Sequence, residues 1–286
     1  MTSSVQNLLA IEVGSSRVKL GWFPSAGVCT SDKPMGNLPI AAPPLPEPAE
    51  VFRIEHRGEA DHWTNEIDAR LDEWSLPLDT VCIVAVVHQA AAAALHRRTL
   101  AGREWSRVVT LTRDDIPLRT EVTEPERVGI DRLLNALAVN RIRPSGRPAI
   151  VVDMGTAMTV NLISSDGRFQ GGAILAGPNT ALRALNTATS SLPLLGPEVF
   201  DQPPPVVGKS TEEAMASGAY WGAIGAARQL IDRMAGCCET APEVFITGGA
   251  SRGVAPLVGF EDRTARYMPH LVLSGIHLAA QGMSGQ

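Results

Sequence analysis

Two short stretches of this chain close an apolar run with a carboxylate and follow it at once with glycine and small polar residues. In "LLAIEVGSS" (8–16) these are Glu12, then Gly14, Ser15 and Ser16; in "AIVVDMGTA" (149–157) they are Asp153, then Gly155 and Thr156. A carboxylate at the end of a buried strand is costly without a partner. Glycine lets backbone N–H groups close on an anion, and hydroxyls add donors. An acid beside such a loop can hold Mg2+ or its water shell, or a monovalent cation. Two such turns facing across a cleft would grip the phosphates of a nucleotide. A third glycine turn, "TGGAS" (247–251) with Gly248 and Gly249, would let an adenosine lie flat on backbone. Each turn alone reads as a β-hairpin containing glycine; the pair, with the third, points to phosphate.

A second cluster is "GIDR", Gly129 to Arg132. An Asp-Arg pair on a helix is ordinarily a solvated surface feature. Here Gly129 and Ile130 lead into an apolar helix, so part of the face is expected to be buried. Arg132 then offers a planar fork to a carboxylate, and Asp131 can orient a hydroxyl. "VVGKST" (206–211) imitates the end of a P-loop, but Pro203 stands where that motif needs its first glycine, so no P-loop is read. Thr211 suits the N-cap of the helix that follows, with Glu212 and Glu213 in its first turn. The six histidines show neither HxxxH nor HExxH spacing and read as ordinary surface or core residues.

The elements that must position these groups follow from hydrophobic period and turn residues. Strands are expected at 8–13, 18–23, 80–87, 107–112, 149–154, 157–163 and 243–251, the last running into glycines. Helices are expected at 60–75, 89–100, 126–142, 210–235 and 271–283. The proline-rich stretch 39–48 reads as loop. In the long helix 210–235, Ala216, Gly218, Gly222 and Gly225 leave room for close packing. Each half of the chain opens with strand, acid, any residue, glycine, small residue, strand. That is a duplicated α/β unit with a mixed sheet and outer helices.

Composition narrows the partners. The 286 residues are 44% hydrophobic and 19% charged with a net charge of −5, so no global basic field favours nucleic acid. The longest strongly apolar run, "VCIVAVV" (81–87), is far too short to span a bilayer. The first residues lack a basic region and Glu12 interrupts their apolar stretch, so no signal peptide is expected. Cys29, Cys82, Cys237 and Cys238 form no CxxC pair, which argues against a disulfide framework or a zinc site and for a cytoplasmic setting.

The order of motifs resembles the two phosphate loops and the adenosine loop of the sugar kinase, actin and Hsp70 superfamily. The resemblance implies an α/β fold of two duplicated actin-like ATPase domains (ribonuclease H-like) with an interdomain ATP cleft. Residues 1–145 would hold the first phosphate loop and the GxDR helix, and residues 146–286 the second phosphate loop and the adenosine loop. Within the superfamily, "GIDR", "DMGTAMT" (153–159), "GGAILAG" (171–177), "VGKSTEEAM" (207–215) and "TGGAS" are similar in order and spacing to type III pantothenate kinase.

That resemblance implies roles. The first phosphate loop falls on Glu12, Val13, Gly14, Ser15, Ser16, Arg17, Val18 and Lys19. The substrate motif falls on Gly129, Ile130, Asp131 and Arg132, with Asp131 as proton acceptor. Asp153 would bind a monovalent cation, Thr156 would contact ATP, Gly248 and Gly249 would lie by the adenosine, and Thr211 would contact substrate. Glu12 would face Mg2+. The expected reaction is ATP-dependent phosphorylation of pantothenate, the first step of coenzyme A biosynthesis, by a homodimer that needs Mg2+ and uses K+ or NH4+. The alternatives are another small-molecule kinase or phosphatase of the superfamily, or a non-catalytic regulatory homologue. Three departures stand out. "EVGSS" replaces the family's D-x-G-N-T, Asn161 replaces the aspartate of T-x-D, and "PLRTEVTEPER" (117–127) lacks the aromatic residue often found before the substrate motif.

Overall fold

The computed structural model describes residues 6–25, 44–250, 253–254, 258 and 265–283. Its elements fall into two compact units. One takes the described residues up to Leu118, Glu126–Ile142 and those from His270 onward; the other takes Arg119–Pro125 and Arg143–Pro269.

The first unit is built on a five-stranded sheet of β1 (Leu8–Val13), β2 (Arg17–Phe23), β3 (Glu50–Glu55), β4 (Val81–Val86) and β5 (Arg107–Thr110). Its order is β3-β2-β1-β4-β5. The first three strands are antiparallel neighbours, and β4 and β5 run parallel to β1. Alternation puts Leu9, Ile11, Val13, Val18 and Leu20 on one face. Trp63, Ile67 and Leu71 of α1 (Ala60–Trp74) and Ala91, Ala94 and Leu95 of α2 (Gln89–Leu95) cover it. Helix α3 (Ile130–Ile142) packs against the last helix, α6 (Leu271–Met283), which also lies on β1. The two helices approach closely at Gly275, where a methyl group would stand 2.3 Å from the Leu134 carbonyl oxygen.

The second unit repeats the plan. Strands β6 (Ala149–Met154), β7 (Ala157–Ile163), β8 (Phe169–Ala176), β9 (Glu243–Thr247) and β10 (Ala265–Tyr267) are ordered β10-β9-β6-β7-β8. Again three strands are antiparallel neighbours and two run parallel to the first. Ile150, Val152, Met154, Met158 and Val160 face Leu182 of α4 (Pro178–Ala188) and Met215, Tyr220, Ile224, Ala227 and Ile231 of α5 (Thr211–Ala235). The duplicated α/β plan expected from the sequence is therefore present, with the same strand order in both units.

Several boundaries differ from the sequence reading, among them the strand expected at 243–251, which ends at Thr247, and that expected at 107–112, which ends at Thr110. The helix expected at 126–142 begins at Ile130, because Pro125–Arg127 forms a separate 3-10 turn. The helix expected at 89–100 is α-helical only through Leu95 and widens into a π turn over His96–Leu100, closed by Ala101 N–H on the His96 carbonyl at 2.8 Å. The division at residue 145 also shifts. Helix α6 is buried on several sides through Leu271, Val272, Leu273, Ile276 and Ala279, and it joins the first unit. Residues 119–125 join the second, where Phe169 N–H donates to the Arg119 carbonyl at 2.9 Å and Glu121 N–H to the Phe169 carbonyl at 2.7 Å.

Candidate functional site

Glu12 is the penultimate residue of β1 and lies directly opposite Lys19 of β2. It is 5% exposed, and its Oε2 stands 2.6 Å from Lys19 Nζ. The turn between the strands is closed by Gly14 N–H on the Arg17 carbonyl at 2.9 Å. A methyl at Gly14 would stand 3.2 Å from that carbonyl oxygen and 3.4 Å from Glu12 Oε1, so the glutamate folds back beside the turn. Val13 and Val18 are buried and anchor the loop; Ser15 is exposed, Ser16 partly so. Arg17 reaches across to Glu55 at 2.9 Å.

The sequence reading missed a support of this loop. His56 follows β3 and its Nε2 lies 2.8 Å from the Gly14 carbonyl oxygen, while its ring centroid is 4.9 Å from that of His88. His88 in turn accepts from Ala91 N–H and caps α2. No spacing signal joins two residues 32 positions apart that follow β3 and β4, strands separated in the sheet by β2 and β1.

The GIDR motif forms the entry to α3. Ile130 is buried and anchors the turn, while Asp131 and Arg132 are partly exposed. Asp131 Oδ1 accepts from Arg132 N–H at 2.9 Å. It also lies over Gly129, where a methyl would stand only 2.5 Å away. Glycine here is thus the seat of the carboxylate. An acid in the first turn of a helix is favoured by the helix dipole. Burial pushes the Arg132 pKa below its usual value, and the neighbouring Asp131 opposes the shift.

In the second unit the two glycine turns meet. Asp153 pairs with Thr159 of β7 on one side and Thr247 of β9 on the other. A methyl at Gly248 would stand 2.6 Å from Asp153 Oδ1 and 2.5 Å from Met154 N, and one at Gly155 would stand 3.4 Å from Asp153 Oδ1. Gly248 also has a φ of +102°, a conformation that L side chains rarely adopt. Ala250 N–H donates to the Met154 carbonyl at 3.2 Å, tying the third turn to the second. Gly249 is exposed beside it; the Ser251 of "TGGAS" lies outside the described residues. Thr156 is exposed, and its carbonyl accepts from Gly177 N–H at 3.0 Å and Thr180 Oγ1 at 2.6 Å. Gly177, the last glycine of "GGAILAG", packs so tightly on this turn that a methyl would stand 2.0 Å from the Gly155 carbonyl oxygen. Asn161 is 1% exposed and donates to Thr159 Oγ1 at 3.0 Å. Register puts Asp153, Thr159, Asn161 and Thr247 on one face of the sheet.

Thr211 does not cap α5. Ser210 does, accepting from Glu213 N–H at 3.1 Å, while Glu213 Oε2 accepts from Lys209 N–H at 2.7 Å. Thr211 is the first residue of the helix and is exposed. Serine one residue earlier satisfies the same orphan N–H, which leaves the Thr211 hydroxyl without the capping role.

Among the described residues no cluster of three or more His, Cys, Asp or Glu side chains encloses a metal. At the end of its first strand each unit offers one carboxylate beside a glycine turn, Glu12 in one and Asp153 in the other. That donor set fits Mg2+, which is commonly bound by one or two carboxylates together with substrate phosphates. No helix among the described residues is long and apolar enough to cross a membrane.

Comparison with known proteins places these motifs in context. The sequence profile of type III pantothenate kinase matches residues 8–233. A type III pantothenate kinase of Gluconobacter oxydans is 36% identical over 207 residues, 70% of this chain and 73% of that one. One of Sphingopyxis alaskensis is 31% identical over 283 residues, 96% of this chain and 98% of that one. Among solved structures, a ROK family glucokinase from Streptomyces griseus in complex with glucose and AMPPNP superposes with a TM-score of 0.52. It covers 95% of this chain and 98% of its own at 11% identity, a likeness of fold alone.

Proposed function

The chain belongs to the type III pantothenate kinase family, and from that premise we propose that it transfers a phosphoryl group from ATP to the primary hydroxyl of pantothenate, the first step of coenzyme A biosynthesis. The observation that carries the substrate assignment is the GIDR turn, where Asp131 is seated over Gly129 beside a half-buried Arg132.

In this reading the backbone of the first loop, Glu12 to Lys19, and the turn at Thr156 each bind phosphate, and the exposed backbone at Gly249 lies by the adenosine. Glu12 would be the protein ligand of an ATP-bound Mg2+, which would supply neutralising charge on the phosphates. Asp153 holds K+ or NH4+. Arg132 takes the carboxylate of pantothenate in a two-pronged hydrogen bond. Asp131 orients the hydroxyl and accepts its proton late, because the transition state of phosphoryl transfer is loose and needs little early deprotonation. Coupled ADP release with ATP, Mg2+ and K+ tests the assignment. Pantothenate should stimulate release and hexoses should not; a hexose response without a pantothenate response would overturn it.

The protein acts as a homodimer in the cytoplasm. Support comes from the face of α5 carrying Gly218, Gly222 and Gly225, all exposed and all with open space where a methyl would stand. The same unit exposes Ile174, Val206 and Val207. In the dimer, Thr211 at the head of α5 contacts the pantothenate held by the neighbouring subunit. A monomer by light scattering at micromolar concentration, with full activity, would rule the dimer out.

A further inference from the structure

The Glu12–Lys19 pair calls for its own explanation. Lys19 belongs to a loop read as phosphate-binding, yet its ammonium lies 2.6 Å from a carboxylate oxygen on a side chain only 7% exposed. A buried carboxylate without a counter-charge is strongly unfavourable, so Lys19 supplies the charge that Glu12 needs. The same carboxylate would be the ligand offered to a divalent cation such as Mg2+, which takes oxygen donors. Ammonium and metal ion cannot share it without strong like-charge repulsion. Lys19 has a further cation at its back. Arg53 of β3 lies opposite it in the register, with Arg53 Nη2 3.1 Å from His270 Nδ1. A metal on Glu12 would add positive charge beside Lys19 and Arg53, and an added anion would offset it.

The glutamate fits this picture. Its carboxylate sits one methylene farther from the backbone than that of aspartate, which brings it against the ammonium of the facing strand. We propose that Lys19 is a built-in counter-ion for Glu12, which keeps the first-loop carboxylate closed to a divalent cation until nucleotide phosphate draws the ammonium away. Metal and nucleotide then bind as a unit, and metal alone does not occupy the loop. Lys19 is in this sense a positioning residue acting through Glu12. The inference rests on the reading of Glu12 as the acid of the first phosphate loop.

The test is Mn2+ binding to the full chain, read by electron paramagnetic resonance, with and without a non-hydrolysable ATP analogue. The wild-type protein should take up Mn2+ only with the analogue. Lys19→Met should gain a Mn2+ site without nucleotide, at least about tenfold tighter than wild type, the scale on which one neighbouring opposite charge shifts a carboxylate's affinity for a proton. Glu12→Ala/Lys19→Met should lose that site, and Lys19→Arg, which keeps the positive charge, should take up no Mn2+ without the analogue. Lys19→Gln repeats the measurement should Lys19→Met fail to fold by circular dichroism. Equal Mn2+ affinity of wild type with and without the analogue would overturn the proposal without any variant, as would folded Lys19→Met or Lys19→Gln with no gain. The underlying reading fails separately. If Glu12→Ala leaves Mn2+ uptake with the analogue unchanged, Glu12 is not the acid of the loop, whatever Lys19 does.

Discussion

Gly129→Ala isolates the placement of Asp131 from its chemistry. The added methyl would stand 2.5 Å from Asp131 Oδ1, against an ordinary contact that begins at 3.4 Å and a limit of 3.0 Å that real Cβ atoms essentially never cross. The carboxylate must therefore retreat by about 0.5–0.9 Å, or rotate away, since interiors do not absorb such overlaps elsewhere for free. The displaced atom is the end of a side chain, so the fold should tolerate the change, with a loss of about 1 kcal/mol or less from the poorer N-cap. Catalysis should not tolerate it, because a misplacement of about 1 Å in a reacting group costs on the order of 10²-fold in rate. Steady-state ADP release should show kcat for pantothenate down by about 10²-fold, with ATP affinity and the melting temperature nearly unchanged. If kcat stays within about twofold in a protein that melts like wild type, the position of Asp131 does not limit phosphoryl transfer and the argument from the glycine seat is wrong.

Asp131→Asn keeps the shape but cannot accept a proton, so turnover should fall about 10²–10⁴-fold while ATP binding by calorimetry persists; near wild-type turnover would assign Asp131 to structure. Asp153→Ala should abolish the response to K+ along with most activity, and an enzyme equally active in sodium-only buffer would contradict the cation role. Gly248→Ala must give up a φ of +102° and overlaps Met154 N and Asp153 Oδ1, so it should lose at least about 1–3 kcal/mol of stability in chemical denaturation; unchanged unfolding would mean the third turn yields easily.

The two hairpins were legible because each opens with a continuous apolar run closed by an acid and a glycine turn, and both sheets pair them in matched registers. Strand β3, "EVFRIE", was not. It is an edge strand whose residues are exposed or half-buried, so its period is weak. Strand β8, "FQGGAILA", overlaps the motif "GGAILAG" yet carries no readable strand period. Gly171 and Gly172 interrupt it with φ values of +90° and +158°, and a methyl at Gly172 would stand 1.9 Å from the Val160 carbonyl oxygen. Helix α4 was hidden behind Pro178, which starts the helix at its first position. The candidate site residues carry motif signals, but Lys19 as partner of Glu12, His56 as prop of Gly14, and Ser210 as cap in place of Thr211 depend on neighbours across strands or one residue along. Those choices are made by register and cap geometry, which a single sequence does not print.

The return of α6 to the first unit sets an order of assembly during synthesis. The second unit is nearly continuous in the chain and has its full complement of strands and helices by residue 269. The first unit has all five strands by Thr110 and α3 by Ile142, yet the helix that packs against α3 and β1 is made last. Until Leu271–Met283 leaves the ribosome, Gly21 and Leu134 lack the helix that covers them. The half begun first is thus the half finished last. Chaperone demand on the nascent chain should concentrate on that waiting face, and a truncation that removes α6 should damage the N-terminal unit rather than the one it follows.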